Sequence, residues 1–571
     1  MSEIVIPQSD LVSLVMKIDG TEVADQYQLL RVETSKEINK IPTAQLTVQQ
    51  GDVLASGKFP TDDPDFFRPG KEIELKMGFH HETNTIFKGI ITRCENTATG
   101  SDTVPQLVIE CRDKAFRMTA PPKNRHFRNV TDSDIAETLA QENEISDIQI
   151  ESSAISHEEI TQNNQSDWDF AVSRLDSIGM FCCVSDNVFI AKPLPQDLSD
   201  GNVAETFAYG ENIFELQADT DARTQPQSVR VRTWDPANQS IQEVTAKDPE
   251  EGGQSGNLDA GVLSAAVGSQ ILDITHSGTM TLQEQQAIAD ARLLKSRLSR
   301  IRGHFKTYGN TTIKVGDVIK LQRIGSRFDG NHIVSSIKQT HENGCWETEI
   351  HFGLLSEQFF SETVNPHQPQ ATATGAMPSV QGLQIGVVTQ IDGDPEHRVK
   401  VRFPLVNDSD DGIWARISML DAGNGRGTFF RPEKDDEVIL AFINNDIRNP
   451  VILGMLHSSA LAPPITPAAA NNEKGYVSRD GGVKMIFDDD ATAFKVETKG
   501  GKKLTISDKD QQVLIEDETG NKITFATSGV TIESATNLTV KAGAVLSLEG
   551  VSVAVKGSAM VEINGALVKI N

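Results

Sequence analysis

The last hundred residues constrain this chain most. From Phe494 onward, apolar residues come in pairs that flank a single residue: Phe494/Val496, Leu504/Ile506, Val513/Ile515, Ile523/Phe525, Val530/Ile532, Leu538/Val540, Leu546/Leu548, Val553/Val555, Val561/Ile563 and Val568/Ile570. The interval between pairs is seven to ten residues and settles near eight. Alternation with period two is the mark of a strand with one buried face. A fixed return of that pattern is the mark of a fibrous or solenoid architecture. Early connections hold charged turns ("TKGGKK", "EDETGN"), whereas later ones shrink to Gly, Ser and Ala.

Strands this short cannot enclose a core within one chain. A monomeric solenoid should show a super-period of three units and a capping segment. The sequence has neither, and it reaches Asn571 while the repeat is still running. Three chains wound about one axis solve the problem, because each apolar pair then fills the axis and neighbours cover the sheet edges. The expected axis residues are Leu538, Val540, Leu546, Leu548, Val553, Val555, Val561 and Ile563. At a strand spacing of about 4.8 Å, ten units give a needle roughly 50 Å long.

Two stretches read as linkers, "ATATGAMPSVQG" at 371–382 and a Pro- and Ala-rich run at 459–474. They divide the 571 residues into a first piece (1–370), a middle piece (383–458) and the repeat (475–571). A chain of this length needs several cores, so the division is expected. The first piece is mainly β, with short alternating strands such as "EIELKMGF" and "QLVIECRD". Three helices interrupt it. One starts at Thr131, with Asp134 at capping-box spacing; the second is "SDWDFAVSRLDSIG", stopped by Gly179; the third starts at Thr281, with Glu284 completing a box. In the third, Ala287, Ala291, Leu294, Leu298 and Ile301 form one stripe. This order predicts an α+β hub with two barrel-like parts. Five short strands in the middle piece fit an oligonucleotide/oligosaccharide-binding (OB) barrel, with Phe403, Trp414 and Phe442 as its expected core.

Net charge is −27, from 53 Lys and Arg against 80 Asp and Glu. Such a surface repels phosphate backbones and anionic lipid, which argues against nucleic-acid binding. Five scattered cysteines, with no CxxC, are not a disulfide framework, so folding in a reducing cytoplasm is expected. The start lacks the basic and apolar regions of a signal peptide.

Candidate chemistry is sparse. His80 and His81 lie in a turn without partners at ligand spacing, and His341 and His351 lack a completing Cys or carboxylate pattern. Cys182 and Cys183 adjoin on a strand, so one is expected in the core and the other half-exposed. Asp488 to Asp490 are consecutive, which is not a calcium-loop spacing. "AGNGRG" is followed by a strand and not by the helix a phosphate loop needs. No hydrolase motif with supporting context occurs. We expect no catalytic residue, metal or cofactor.

The middle piece carries a recognisable order of motifs: Arg398 to Pro404, Trp414 to Arg416, Ala422-Gly423 with Gly427, Phe430 to Pro432, Asp436 to Val438 with Phe442, and Pro450 with Gly454. It resembles the OB module of VgrG-type spike proteins of contractile injection machines. "EKDDEV" and "NNDIRNP" depart from the family's usual turns. The resemblance implies a homotrimer whose hub adapts the three-fold spike to a six-fold tube and baseplate, with a needle that carries a PAAR-like tip protein and can carry effector cargo. Val568, Ile570 and Asn571 are the expected tip contact. Contraction of a sheath would drive the assembly into a target envelope. The short needle and the "HENGCWETEIHFGLL" end of the hub favour an extracellular or phage-tail-like machine over type VI secretion. A type VI spike, or a phage-type hub that degrades cell wall, is the alternative. The run at 459–474 is too short to hold an inserted lysozyme, and no effector domain is expected beyond the needle.

Overall fold

The computed structural model describes residues 11–23, 27–49, 67–97, 105–235, 237–249, 255–276, 278–356, 380, 382–404, 406–407 and 409–570. The chain forms two compact units, Met1–Leu456 and His457–Asn571. Most of the expected linker at 371–382 lies outside the described residues.

In the first unit, alternation builds the strands. Along Glu72–Phe79 the inward residues are Ile73, Leu75 and Met77, and along Gln106–Arg112 they are Leu107, Ile109 and Cys111. These side chains and Phe87 form the core of the N-terminal half. A second core gathers Phe207, Phe305, Ile319, Leu321 and Ile350. The two halves keep separate cores but share one sheet. Gly330–Glu342 pairs antiparallel with Gln28–Glu37, Ser336 opposite Glu37 and Glu342 opposite Arg31. That pairing joins both halves into one 13-stranded sheet.

The first helix spans Asp132–Glu142, with Thr131 and Asp134 forming the expected reciprocal box. The second spans Asp167–Ser177 and is stopped by Gly179 at φ 78°, with Ala291 Cβ 3.1 Å from where a Cβ would stand. The third spans Leu282–Leu298, and only half of its expected box forms. Thr281 accepts from the Glu284 amide, but the Glu284 carboxylate is taken by Arg448 at 2.7 Å. Nor is one stripe enough for this helix. Ile288, Ala289 and Leu293 pack on the sheet of Ser228–Asp235, while Leu294 and Leu298 face a different cluster. A short fourth helix, Ala260–Ala266, has no strong pattern in the sequence.

Cys182 and Cys183 correct the expectation of one exposed thiol. Both are buried, because the strand Met180–Ser185 is covered on both faces. Cys182 belongs to the helical core and Cys183 to the cluster with Phe181 and Leu294.

The middle piece is a closed five-stranded barrel of Gln384–Gln390, Val399–Arg402, Ile413–Ile417, Glu437–Phe442 and Pro450–Met455. Phe403 lies in its core with Val388, Val401, Ile413, Leu440 and Ile452. Phe442 packs against that core half-buried. Trp414 does not enter it. Its neighbours Ile413 and Ala415 take the inward positions, so alternation turns Trp414 outward, where Lys400 Nζ sits 5.7 Å from the ring centroid.

The second unit holds a meander of seven antiparallel strands, Glu473–Val477, Val483–Asp488, Ala493–Thr498, Lys503–Ser507, Gln512–Glu516, Lys522–Ala526 and Gly529–Glu533. Its first strand starts just inside the expected linker at 459–474. The ten repeat units therefore do not share one conformation. The longer steps with charged turns are hairpin reversals within one chain. The short Gly/Ser/Ala steps beyond Glu533 make no strand pairing within the chain.

Candidate functional site: two assembly surfaces

Register decides what the meander presents. Met485, Val496, Leu504, Ile515, Ile523 and Ile532 lie opposite one another in a row across six strands. Two residues along, Phe487, Phe494, Ile506, Val513, Phe525 and Val530 make a second row. The two rows share one face, so the apolar pairs read from Phe494/Val496 to Val530/Ile532 come together as one continuous surface. Phe487, Ile506, Ile515, Phe525, Val530 and Ile532 are all exposed in the single chain.

The opposite face is built for water. Lys484, Glu497, Lys503, Glu516, Lys522 and Glu533 lie side by side, and the charge changes sign at each strand. Lys503 meets Glu516 at 3.4 Å and Lys522 meets Glu533 at 3.1 Å. Opposite charges on facing strands stabilise a ladder, and like charges destabilise it. This ladder was legible in the sequence as a sign change in the residue beside each apolar pair.

The expected axis residues lie in the tail beyond the meander. Leu538, Val540, Leu546, Leu548, Val553, Val555, Val561 and Ile563 are all exposed, as are Val568 and Ile570. The chain brings none of them together by its own strand pairing. Asn571 lies outside the described residues.

The second surface is the joint between hub and barrel within the first unit. Arg448, from the loop before the last barrel strand, reaches Glu284 of the third helix at 2.7 Å and Asp446 at 2.8 Å. Asp446 also lies 3.2 Å from His276 Nε2. Close by, Arg174 donates to Asp132 at 2.7 Å, and His157 Nε2 lies 3.0 Å from Asp132. Burial pushes the Glu284 carboxyl up, but Arg448 and then Arg174 outweigh it and hold the group below its ordinary value. Burial likewise opposes Asp446, and Arg448 again overrides it. Backbone contacts add to the joint, with Thr279 N donating to Asn449 at 3.0 Å and Val380 N to Asn445 O at 2.8 Å.

On another side of the joint, Arg128 pairs with Asp410 and donates to Gly412 O at 3.2 Å. Gly412 has φ 83°, and a Cβ there would stand 1.9 Å from Val401 O, so only glycine lets the chain pass. Glu159 sits beside this pair, and burial pushes it up to about 7 against the pull of Arg128. A raised carboxyl binds its proton more readily folded than unfolded, so its contribution to stability falls as pH rises from about 4.5 to 7. Glu159→Gln is therefore expected to flatten the stability profile over that window and to gain on the parent above pH 7. Urea denaturation at several pH values measures this. A cleft of about 350 Å³ at the joint is lined by Glu159, Glu284, Arg398, Trp414 and Arg448. Those charges largely neutralise one another, so the joint acts as a fastening between hub and barrel.

The expected histidines make none of the joint's contacts, and the acidic run begins at the end of the meander strand Val483–Asp488. His80 and His81 are exposed in a turn. His351 stacks on His304 with ring centroids 5.1 Å apart, while His341 lies opposite Trp346 on a neighbouring strand pair. Asp488 and Asp490 pair with Lys495 and Lys509. Among the described residues, no group of three or more His, Cys, Asp or Glu is placed to hold a metal.

The family model described as the Alg8 N-terminal domain matches residues 8–343, more than half of the chain. The chain belongs to the Alg8 N-terminal domain family. Beyond that Alg8-type hub, residues 384–457 match the type VI secretion system/phage-baseplate injector OB domain. Residues 493–571 match the phage baseplate V C-terminal trimerisation domain. The type VI secretion system spike protein VgrG1b of Pseudomonas aeruginosa is 27% identical over 234 residues, covering 38% of this chain and 30% of that relative. The actin cross-linking toxin VgrG1 of Vibrio cholerae is 34% identical over 98 residues, 16% of this chain and 9% of the toxin. The chain thus matches less than a third of the length of these curated relatives. A chain of the half-lidded Francisella PdpA-VgrG complex shares the fold, with a TM-score of 0.55 at 10% identity over 92% of this chain and 88% of that one. The VgrG-type plan implied by the motifs from Arg398 to Gly454 is the one the Alg8-type chain has.

Proposed function

We propose that three copies of this chain form the central spike and hub of a contractile injection machine. The observation that carries this is the meander's uncovered apolar face, backed by a charged outer face and followed by an exposed tail that forms no strand pairing with the described residues of its own chain. Three such faces closed on one another bury the apolar rows and leave the charge ladders in water. The match of residues 493–571 to a trimerisation domain supports the same count.

The role is mechanical. Thrust delivered to the hub passes to the barrel through the buried Arg448 fastening, and the trimeric needle carries it forward. Val568, Ile570 and Asn571 would meet a PAAR-like tip protein, and the hub would meet tube and baseplate proteins. No step of this role needs a catalytic residue or cofactor. The particle would act outside the cell that makes it, as part of an extracellular or phage-tail-like machine. The relative from Pseudomonas aeruginosa favours the second reading, a type VI spike. Among the described residues, no helix is long and apolar enough to cross a membrane.

Light scattering on the purified full chain is expected to return three copies per particle, and a stable monomer would sink the proposal. A peptidoglycan zymogram is expected to stay opaque; clearing would assign a cell-wall hydrolase instead.

A further inference from the structure

The barrel carries two exposed apolar features that its own fold does not use. The first is a hairpin of Ala422–Gly423 paired with Arg426–Gly427. It is closed by Thr428 N donating to Asp421 O at 2.9 Å, and by Arg426 donating to the Asp421 carboxylate at 2.6 Å. The residues just outside that closing pair are Leu420, 98% exposed, and Phe429, 79% exposed. An ordered hairpin thus holds two large apolar side chains out in solvent.

The second feature is the outer wall of the barrel. On Gln384–Gln390, Val388 points inward, so alternation puts Ile385 outward. Ile385 lies opposite Ile439, and Ile439 lies opposite Gly454, next to Leu453. Ile385 and Leu453 are each close to half exposed, and Leu383 beside them is more so. An outward barrel wall facing water would carry polar residues at these positions.

We infer that the hairpin of one copy seats Leu420 and Phe429 on the Ile385–Leu453 wall of the next copy, so that the barrels form a ring of their own. This rests on the trimeric reading above but places a contact outside the matched trimerisation domain, which begins at residue 493. The occupant is a second copy for two reasons. Each chain offers one prong and one wall, and a closed head-to-tail ring uses one of each per subunit. The needle on the same chain also holds three barrels at high effective concentration, so a contact too weak to act alone becomes populated.

The test uses the full chain. A Leu420→Cys chain and a Leu453→Cys chain are co-expressed, purified as the mixed trimer and oxidised, with each variant alone and the parent as controls for the exposed Cys345. Hydroxyl-radical labelling of the parent trimer and of the urea-unfolded chain is run beside it. The expected result is a covalent dimer only in the mixed sample, together with severalfold slower labelling of Phe429 and Leu453 in the trimer. An intact trimer with neither cross-link nor protection overturns the inference and leaves the spike standing. Protection without the cross-link also overturns it, because some other surface then covers the prong. A monomer in light scattering overturns both.

Discussion

Ile515→Asp leaves the chain unable to trimerise, whereas Thr524→Asp, one strand away on the opposite face, leaves the trimer intact. Light scattering reads both outcomes. Ile515 lies between Leu504 and Ile523 in the middle of an apolar row, and Thr524 lies between Leu514 and Thr531 on the water side. Closing three faces on one another removes Ile515 and its two copies from solvent together. Each buried side chain of this size contributes about 1.5–3 kcal/mol when it leaves water. An aspartate there loses that gain and adds a desolvation cost of several kcal/mol per ion, roughly, multiplied by the three-fold axis. The substituted trimer must then protonate its carboxylates or come apart. Leu546→Asp and Val555→Asp are expected to act in the same direction, through the tail. Should Ile515→Asp still trimerise, the inward face has been assigned backwards.

Arg448→Met loosens the first unit by about 3–5 kcal/mol, the range for removing one member of a buried ion cluster. The guanidinium satisfies Glu284 and Asp446 at once, and both carboxylates are buried. Without it Glu284 loses its ion-pair partner and Asp446 keeps only His276. Thermal or urea unfolding of the full chain measures the loss. The pH profile separates this cause from simple loss of packing. In the parent, both carboxyls are held below their ordinary values of 4.5 and 3.8, so their contribution is present above those values and lost as pH falls through them. In Arg448→Met, burial acts unopposed and pushes both groups up. Mild acidification then stabilises the variant where it leaves the parent unchanged. Adding Glu284→Gln and Asp446→Asn to Arg448→Met should restore much of the loss and abolish that pH response.

Much of the architecture could be read from the sequence because it rests on local periodicity. The barrel strands, the three longer helices and the apolar pairs each follow alternation or a 3.6-residue repeat, and these depend only on near neighbours. Where reading failed, partners distant in sequence decided the outcome. Trp414 looked like core because it is aromatic and flanked by apolar residues, but the parity of Ile413 and Ala415 turned it outward. Glu284 matched a capping box, and Arg448, more than 160 residues away, claimed its carboxylate. One of Cys182 and Cys183 was expected half-exposed, and residues from elsewhere, Leu294 of the third helix among them, cover Cys183. In the needle, the pairs were legible but not their division into a meander and an unpaired tail. The turn composition held only part of that information: the charged links at 499–502 and 517–521 reverse the chain, but so does the short uncharged link at 526–529.

The meander also sets an order of events. Each of its strands pairs with the next along the chain, so its contacts are local and can form within a single polypeptide as it is made. The tail follows it in synthesis and, in the proposed trimer, forms strand pairs only when other chains arrive. One part of the needle is therefore a unimolecular folding unit and the other a termolecular one. The charge ladder helps fix the first part's strand register, because a slip of one residue would turn a strand's charges onto the apolar face and its apolar pair into water. Assembly then starts from three preformed templates, and the tail zips from the end already anchored. Refolding from denaturant should accordingly show a concentration-independent phase followed by a concentration-dependent one.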